Sequence, residues 1–263
     1  MEAEEVMERE ELKRLAGYRA AEYVADGTVV GLGTGSTTAY AIEALGAQVR
    51  EGLRIRGIPT SVASERLARE AGIPLTSLEE CPEVDLTIDG ADEVDRQGNL
   101  IKGGGGAFFR EKVVALASRR YVIVVDDGKL VDRLGVAVPL PVEVVPFAWH
   151  RCQQTIERMG GMVEIRRSNG VPFVTDNGNY VLDCRFFPLP DPSQLGQRLR
   201  GIVGVVEHGL FLDMDPIVLV AGRQGVVERA PCFGRSRHTP TMSEGPDGNK
   251  GNTGHRSPQP YGG

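Results

Sequence analysis

The sequence predicts an α/β fold with a second, smaller α+β unit, and three observations predict it. Short β-branched runs alternate with helical patterns between Val29 and Val125. Glycine turns or carboxylate clusters stand just past the ends of several runs, at residues 31–35, 89–93 and 126–129. In open α/β sheets, ligands bind outside the carboxyl ends of the strands. Near residues 134–146 the texture changes, with Pro139, Pro141 and Pro146 punctuating short apolar runs, and an αβββα order follows.

In chain order, residues 2–24 are rich in Ala, Leu, Glu and Arg. Val6, Leu12, Leu15, Ala16, Ala20 and Val24 have the spacing of an amphipathic helix that packs on the sheet. Residues 27–38, GTVVGLGTGSTT, read as strand, glycine turn and helix start, and 39–45 continue the helix. A dinucleotide fingerprint would need Gly or Ala where Ser36 stands, and a P-loop would need a Gly-Lys-Ser/Thr ending that is absent. Hydroxyls at Thr34, Ser36, Thr37 and Thr38 beside free backbone N–H groups suit a phosphate or a polyhydroxylated ligand instead. Residues 55–60 predict a strand, 64–71 a short helix and 73–78 another extended piece.

Residues 85–112 carry the densest chemistry. A short, partly alternating run over 84–88 suits a buried strand, and Asp89 and Asp92 fall just past its end. Lys102 runs into four consecutive glycines, Gly103, Gly104, Gly105 and Gly106. Without Cβ atoms such a turn takes positive φ and brings its N–H groups close to a ligand. Helical spacing over 108–117 then carries Glu111, and anionic groups favour a glycine nest at a helix start. Tyr121 to Val125 reads as a strand that directs Lys129 toward the same crevice.

Beyond the boundary, 149–159 predicts a helix, 162–166, 171–175 and 180–184 strands, and 192–199 a helix. The last two strands join through Asp176-Asn177-Gly178, and Asn-Gly is a hairpin signal. Residues 204–212 and 217–220 read as strands that return to the first sheet, with 225–227 closing the fold. The expected domains are 1–134 with 204–231, then 135–203, and a tail over 232–263. Those last 32 residues hold seven Gly and four Pro and no Val, Ile, Leu or Ala, so disorder is expected there. His238 and His255 within it lack ligand spacing.

A net charge of −6 gives no general attraction to nucleic acid or anionic membranes, so an anionic ligand must be held by local positive groups. Four cysteines, Cys81, Cys152, Cys184 and Cys232, are widely spaced with no CxxC pair, which disfavours a zinc site and a disulfide framework. The acidic N-terminus does not read as a signal peptide, and no apolar stretch approaches membrane-spanning length. The expectation is a cytoplasmic protein that takes a small molecule, needs no metal or other cofactor, and binds neither nucleic acid nor membrane.

Four motifs carry a resemblance: Gly31-Leu-Gly-Thr-Gly-Ser-Thr37, Asp89-Gly-Ala-Asp-Glu93, Ile101-Lys-Gly-Gly-Gly105 with one further glycine, and Arg110-Glu-Lys112. In order and spacing the chain resembles the type A ribose-5-phosphate isomerases, from about Glu11 to Arg229. The resemblance implies a metal-independent interconversion of ribose 5-phosphate and ribulose 5-phosphate in the pentose phosphate pathway. It implies Glu111 as the base that moves a proton between two carbons, and proton transfer next to a carbonyl does call for a carboxylate. Lys102 and the glycine N–H groups would stabilise the enediolate. Asp89 is the first choice to shuttle hydroxyl protons and help open the ring, with Asp92 beside it.

For substrate binding the resemblance implies Thr34, Gly35, Ser36 and Thr37, then Asp89, Gly90, Ala91 and Asp92, then Lys102, Gly103, Gly104 and Gly105, with Lys129 and, more weakly, Lys13. It also implies a Rossmann-like domain completed by the C-terminal strands, a small inserted α+β domain, and assembly as dimers or tetramers. Two other classes compete. A sugar-phosphate-sensing regulatory domain would keep the phosphate cradle without a base, and Glu111 counts against it. A coenzyme A-transferase-like enzyme would use a glutamate nucleophile, but its thioester requires a nucleotide-sized groove.

Overall fold

Five parallel strands form the centre of the protein, and their residues show why. In β6 (Tyr121–Asp126), Val122 and Val124 enter one apolar cluster while Tyr121, Ile123 and Val125 enter another, so the strand is buried on both faces. Such strands need helices on both sides, which parallel crossovers supply. The computed structural model describes residues 2–222 and 224–229, and the tail expected to be disordered, 232–263, lies outside the described residues.

The first part of the chain runs α1 (Glu2–Ala21), β1 (Val29–Leu32), α2 (Ser36–Arg50), β2 (Arg56–Pro59), α3 (Val62–Glu70), β3 (Leu86–Gly90), β4 (Glu93–Val94), β5 (Leu100–Ile101), α4 (Phe108–Leu116) and β6. The second runs β7 (Leu140–Val144), α5 (Trp149–Arg158), β8 (Met162–Ile165), β9 (Arg167–Ser168), β10 (Val171–Pro172), β11 (Tyr180–Arg185) and α6 (Pro192–Arg200). The last contains β12 (Val205–His208), β13 (Leu210–Phe211), β14 (Ile217–Gly222) and β15 (Gly225–Arg229).

The main sheet has the order β15-β14-β6-β3-β1-β2, parallel except for β15, and is Rossmann-like. Because β2 lies on one side of β1 and β3 on the other, the strand order reverses there. The crevice outside the carboxyl ends of β1 and β3 is therefore a topological switch point. Helices α1 and α2 cover one face through Ala16, Ala20, Ala41 and Leu45. On the other, Val114 of α4 packs with Val29 and Ile58. Helix α1 stops three residues short of the expected Val24, before a turn in which Gly27 takes φ 81° and bonds the Arg54 carbonyl at 2.6 Å.

A second, antiparallel sheet has the order β12-β7-β11-β8. Cys152 and Ile156 of α5 and Leu195 and Leu199 of α6 pack on its Leu140, Val142, Val144 and Leu182. Its opposite face turns Val181 toward Phe108 of α4. The link into this sheet is pinned by Glu93, wholly buried, whose carboxylate accepts the N–H groups of Gly135, Ala137 and Val138 at 2.5, 2.6 and 3.0 Å.

The structure corrects one topological expectation. Residues 204–212 do not return to the main sheet: β12 pairs with β7, and β13 joins a three-stranded sheet of order β13-β5-β4. Val205 there adds to the apolar cluster under the second sheet, and Glu207 on the opposite face meets Lys112 of α4. Only β14 and β15 complete the main sheet. The extended piece at 73–78 is reduced to a bridge between Leu75 and Gly57. The Asn177-Gly178 turn forms, closed by a Thr175 N–H to Asn179 carbonyl bond of 2.9 Å.

Candidate active site

The loop after β1 and the start of α2 form one wall of the crevice. Gly35 is the N-cap of α2, at φ 130°, and has no side chain to cap the first turn. The first-turn N–H groups thus stay available to an anion, as the helix dipole favours. In contrast, α3 is closed by a capping box in which Ser61 and Ser64 satisfy each other's backbone N–H groups. The hydroxyl of Thr34 donates to Ser61 at 2.7 Å and lies 2.9 Å from that of Thr60, so its role as a free ligand donor is taken. Thr38 is buried, its hydroxyl turned back to the Thr34 carbonyl at 3.5 Å. Ser36 and Thr37 line the cavity.

The carboxyl end of β3 supplies Asp89, which is wholly buried. Its Oδ1 accepts N–H groups from Thr34 at 3.1 Å and Gly90 at 2.8 Å, tying the β1 loop to the β3 end. A Cβ at Gly33 would stand 2.5 Å from the Asp89 Cγ, so only glycine lets the two loops approach this closely. Asp89 Oδ2 lies 3.0 Å from the ammonium of Lys102, and Glu111 Oε2 lies 3.1 Å from the same ammonium. Lys102 also donates to the Gly90 carbonyl. All three side chains are buried: one cation between two carboxylates.

Charge bookkeeping in that triad sets the proton affinities. Burial and then the Asp89 charge push the Glu111 carboxyl up to about 8, against the pull of Lys102. Burial likewise raises Asp89, offset in part by Lys102. On Lys102 burial opposes the charge, but the two carboxylates outweigh it and hold the ammonium above the ordinary lysine value. A carboxyl tuned toward neutrality suits a group that both takes and returns a proton.

A cavity of about 350 Å³ opens at this point. It brings together Thr34, Gly35, Ser36 and Thr37 with Gly90, Ala91 and Asp92, and with Lys102, Gly103, Gly104, Gly105 and Glu111. Lys13 from α1 and Lys129 from the short turn after β6 add two cations to its lining. Asp89 does not border the cavity; it lies behind Lys102. Asp92 does border it, and its Oδ2 accepts the Gly104 N–H at 2.7 Å.

Thr38, one of the expected hydroxyl donors, lines the cavity as well. Asp126 also lines it and is a carboxylate that sequence reasoning missed as a ligand contact, although it ends the strand leading to Lys129. Lys112 turns away from Glu111, as neighbours along a helix do. Its buried ammonium bonds Glu207 Oε1 at 2.9 Å and the His208 carbonyl at 2.5 Å, anchoring α4 to β12. Burial brings the Lys112 ammonium down to about 8. Among the described residues no group of three or more His, Cys, Asp or Glu is placed to hold a metal ion, and no helix is long and apolar enough to cross a membrane.

Fold and relatives together define an α/β enzyme of the aldose–ketose isomerase class. The model of the ribose 5-phosphate isomerase A (phosphoriboisomerase A) family matches residues 56–225, and the chain belongs to that family. It is 48% identical over 220 residues to the ribose-5-phosphate isomerase A 1 of Oceanobacillus iheyensis, covering 83% of this chain and 98% of that one. With the ribose-5-phosphate isomerase A of Gloeobacter violaceus the identity is 51% over 226 residues, 86% of this chain and 98% of the relative. The solved structure of ribose 5-phosphate isomerase A from Methanocaldococcus jannaschii matches at a TM-score of 0.80 and 42% identity, covering 84% and 99% of the two chains. A D-ribose-5-phosphate isomerase in complex with phospho-erythronic acid matches at 0.81 and 40% identity, covering 84% and 98%.

Proposed function

We propose that the chain interconverts D-ribose 5-phosphate and D-ribulose 5-phosphate with Glu111 as the proton-transferring base. The carrying observation is the Glu111–Lys102 contact of 3.1 Å at the cavity wall, with the Glu111 carboxyl pushed up to about 8. In the open-chain aldose, ionised Glu111 takes the proton from C2. The C–H electron pair forms the C1–C2 double bond, and negative charge moves to O1. Lys102 and glycine N–H groups lie at the wall where that charge develops. The hydroxyl proton passes from O2 to O1, Glu111 returns its proton to C1, and O2 becomes the ketone oxygen.

Asp92 lines the cavity beside the glycine loop, as Asp126 does beside Lys129, and we assign the hydroxyl protons to Asp92. Asp89 acts from behind Lys102, holding its charge. The phosphate goes to the α2 start with Ser36 and Thr37, assisted by Lys13 and Lys129. A cavity of about 350 Å³ supports a small sugar phosphate over a coenzyme A thioester. Residues 135–203, extended by β12 through its pairing with β7, are assigned to an inserted domain and the rest of the described chain to the catalytic one. The same reading makes the enzyme a cytoplasmic homodimer or homotetramer. Assays with ribose 5-phosphate and with acetyl-coenzyme A, run side by side, test the activity. Turnover of the sugar phosphate alone is expected, and no formation of ribulose 5-phosphate overturns the reading.

A further inference from the structure

The glycine loop takes its orientation from a residue far away in sequence. Arg166, between β8 and β9 of the second sheet, donates from Nη1 to the carbonyls of Gly103 at 2.7 Å and Gly104 at 3.1 Å. Its other edge is held by Asp183 of β11, Nε to Oδ2 at 2.9 Å and Nη2 to Oδ1 at 2.5 Å. Its guanidinium lies 5.9 Å from the centroid of Phe173. The Gly103 carbonyl also accepts the Gly106 N–H at 3.0 Å, which closes the turn.

A trans peptide is planar, so the carbonyl of one residue and the N–H of the next point in opposite directions. Drawing the Gly103 carbonyl to Arg166 sends the Gly104 N–H the other way, where it meets Asp92 Oδ2 at 2.7 Å. Drawing the Gly104 carbonyl to the same guanidinium sends the Gly105 N–H away from Arg166 as well. Gly105 borders the cavity. Glycines resist rotation weakly, so an external hold on two successive carbonyls is what selects one peptide orientation.

We propose that Arg166, aligned by Asp183, is a positioning residue that points the Gly105 N–H at the oxygen on which negative charge develops. The proposal rests on the isomerase reading above. Arg suits the task because its planar fork serves the carboxylate and both carbonyls at once, which the point charge of a lysine does not.

Two variants test it, Arg166→Met and Arg166→Lys, each checked for folding by circular dichroism. In Arg166→Met, kcat for ribose 5-phosphate is expected to fall about 10²-fold, the scale of a small misplacement of catalytic donors. KM stays near the wild-type value, because the phosphate contacts are untouched. Phospho-erythronic acid, with a carboxylate in place of the reacting carbons, should bind more weakly, and inorganic phosphate should bind as to wild type. The pH at which activity rises should not move, since no titrating group in the cavity is altered. Arg166→Lys keeps the stem and the charge, and kcat is expected to fall about tenfold with the same unchanged KM. A folded Arg166→Lys enzyme with wild-type kcat overturns the proposal even if Arg166→Met fails to fold. Equal losses in phosphate binding and turnover also overturn it, as they mark general damage. An inactive wild type defeats the isomerase reading instead, so the two failures are told apart.

Discussion

Lys102 holds its Nζ 3.1 Å from Oε2 of Glu111. Burial and then the Asp89 charge raise the proton affinity of Glu111, and this contact with Lys102, shared with Asp89, holds the rise in check.

Glu111→Gln separates a base from a structural residue. The amide cannot accept the C2 proton, so turnover is expected to fall by about 10² to 10⁴. Binding should persist, because Ser36, Thr37 and Lys102 remain in the lining. The measurement is exchange of the substrate's transferable hydrogen with deuterated solvent. Near-normal exchange in the folded variant would remove Glu111 from the mechanism.

The Glu111 carboxyl, moved from 4.5 to about 8, gives a signed pH dependence. Activity needs the ionised form, so kcat/KM should rise with pH and level off above about 8. Stability runs the opposite way: the raised folded-state value favours the fold below 4.5, and that contribution is lost as pH climbs through about 8. Relative to Glu111→Gln, the wild type should therefore lose melting temperature across this window. A flat difference between the two melting curves from pH 5 to 8 would contradict the shift.

Removing the cation by Lys102→Met leaves two buried carboxylates facing each other. Because Lys102 lowers the proton affinity of both, its loss should push the activity limb to higher pH and cut turnover at neutral pH by about 10²-fold or more. An activity limb left where it was, read from the kcat/KM profile, counts against the triad.

Lys102 also supplies positive charge between Asp89 and Glu111, the place a divalent ion would otherwise take. Dialysis against a strong chelator is expected to leave turnover unchanged. Loss restored only by a divalent ion would require a different mechanism.

Gly33→Ala probes the contact between the two loops. Its Cβ would stand 2.5 Å from both the Asp89 Cγ and the Ile88 carbonyl oxygen, so Asp89 must shift or the strands part. A cost of about 1 to 3 kcal/mol is the usual scale for such overpacking, seen as a lower melting temperature together with reduced kcat. Wild-type values for both would show that the loops have more room than their geometry allows.

By itself the sequence determined the parts of the site that neighbours in the chain encode. Glycines at 33 and 35, hydroxyls at 36 and 37, a carboxylate pair after β3 and a lysine leading into glycines are local patterns. Turn conformation, strand ends and helix starts depend mostly on residues a few positions apart, so these were legible, as was the alternation that makes the main sheet. Tertiary structure decided what depends on approach between distant segments. Lys102 meets Asp89 and Glu111 in a buried site, and burial there raises the Glu111 carboxyl. The hydroxyl of Thr34 goes to Thr60 and Ser61 across 26 and 27 residues, and Arg166 reaches Gly103 across 63. Strand β12 took the edge of β7 over the main sheet because Val205 finds an apolar layer there and Glu207 finds Lys112. Desolvation and charge pairing act through space, and no spacing along the chain records them.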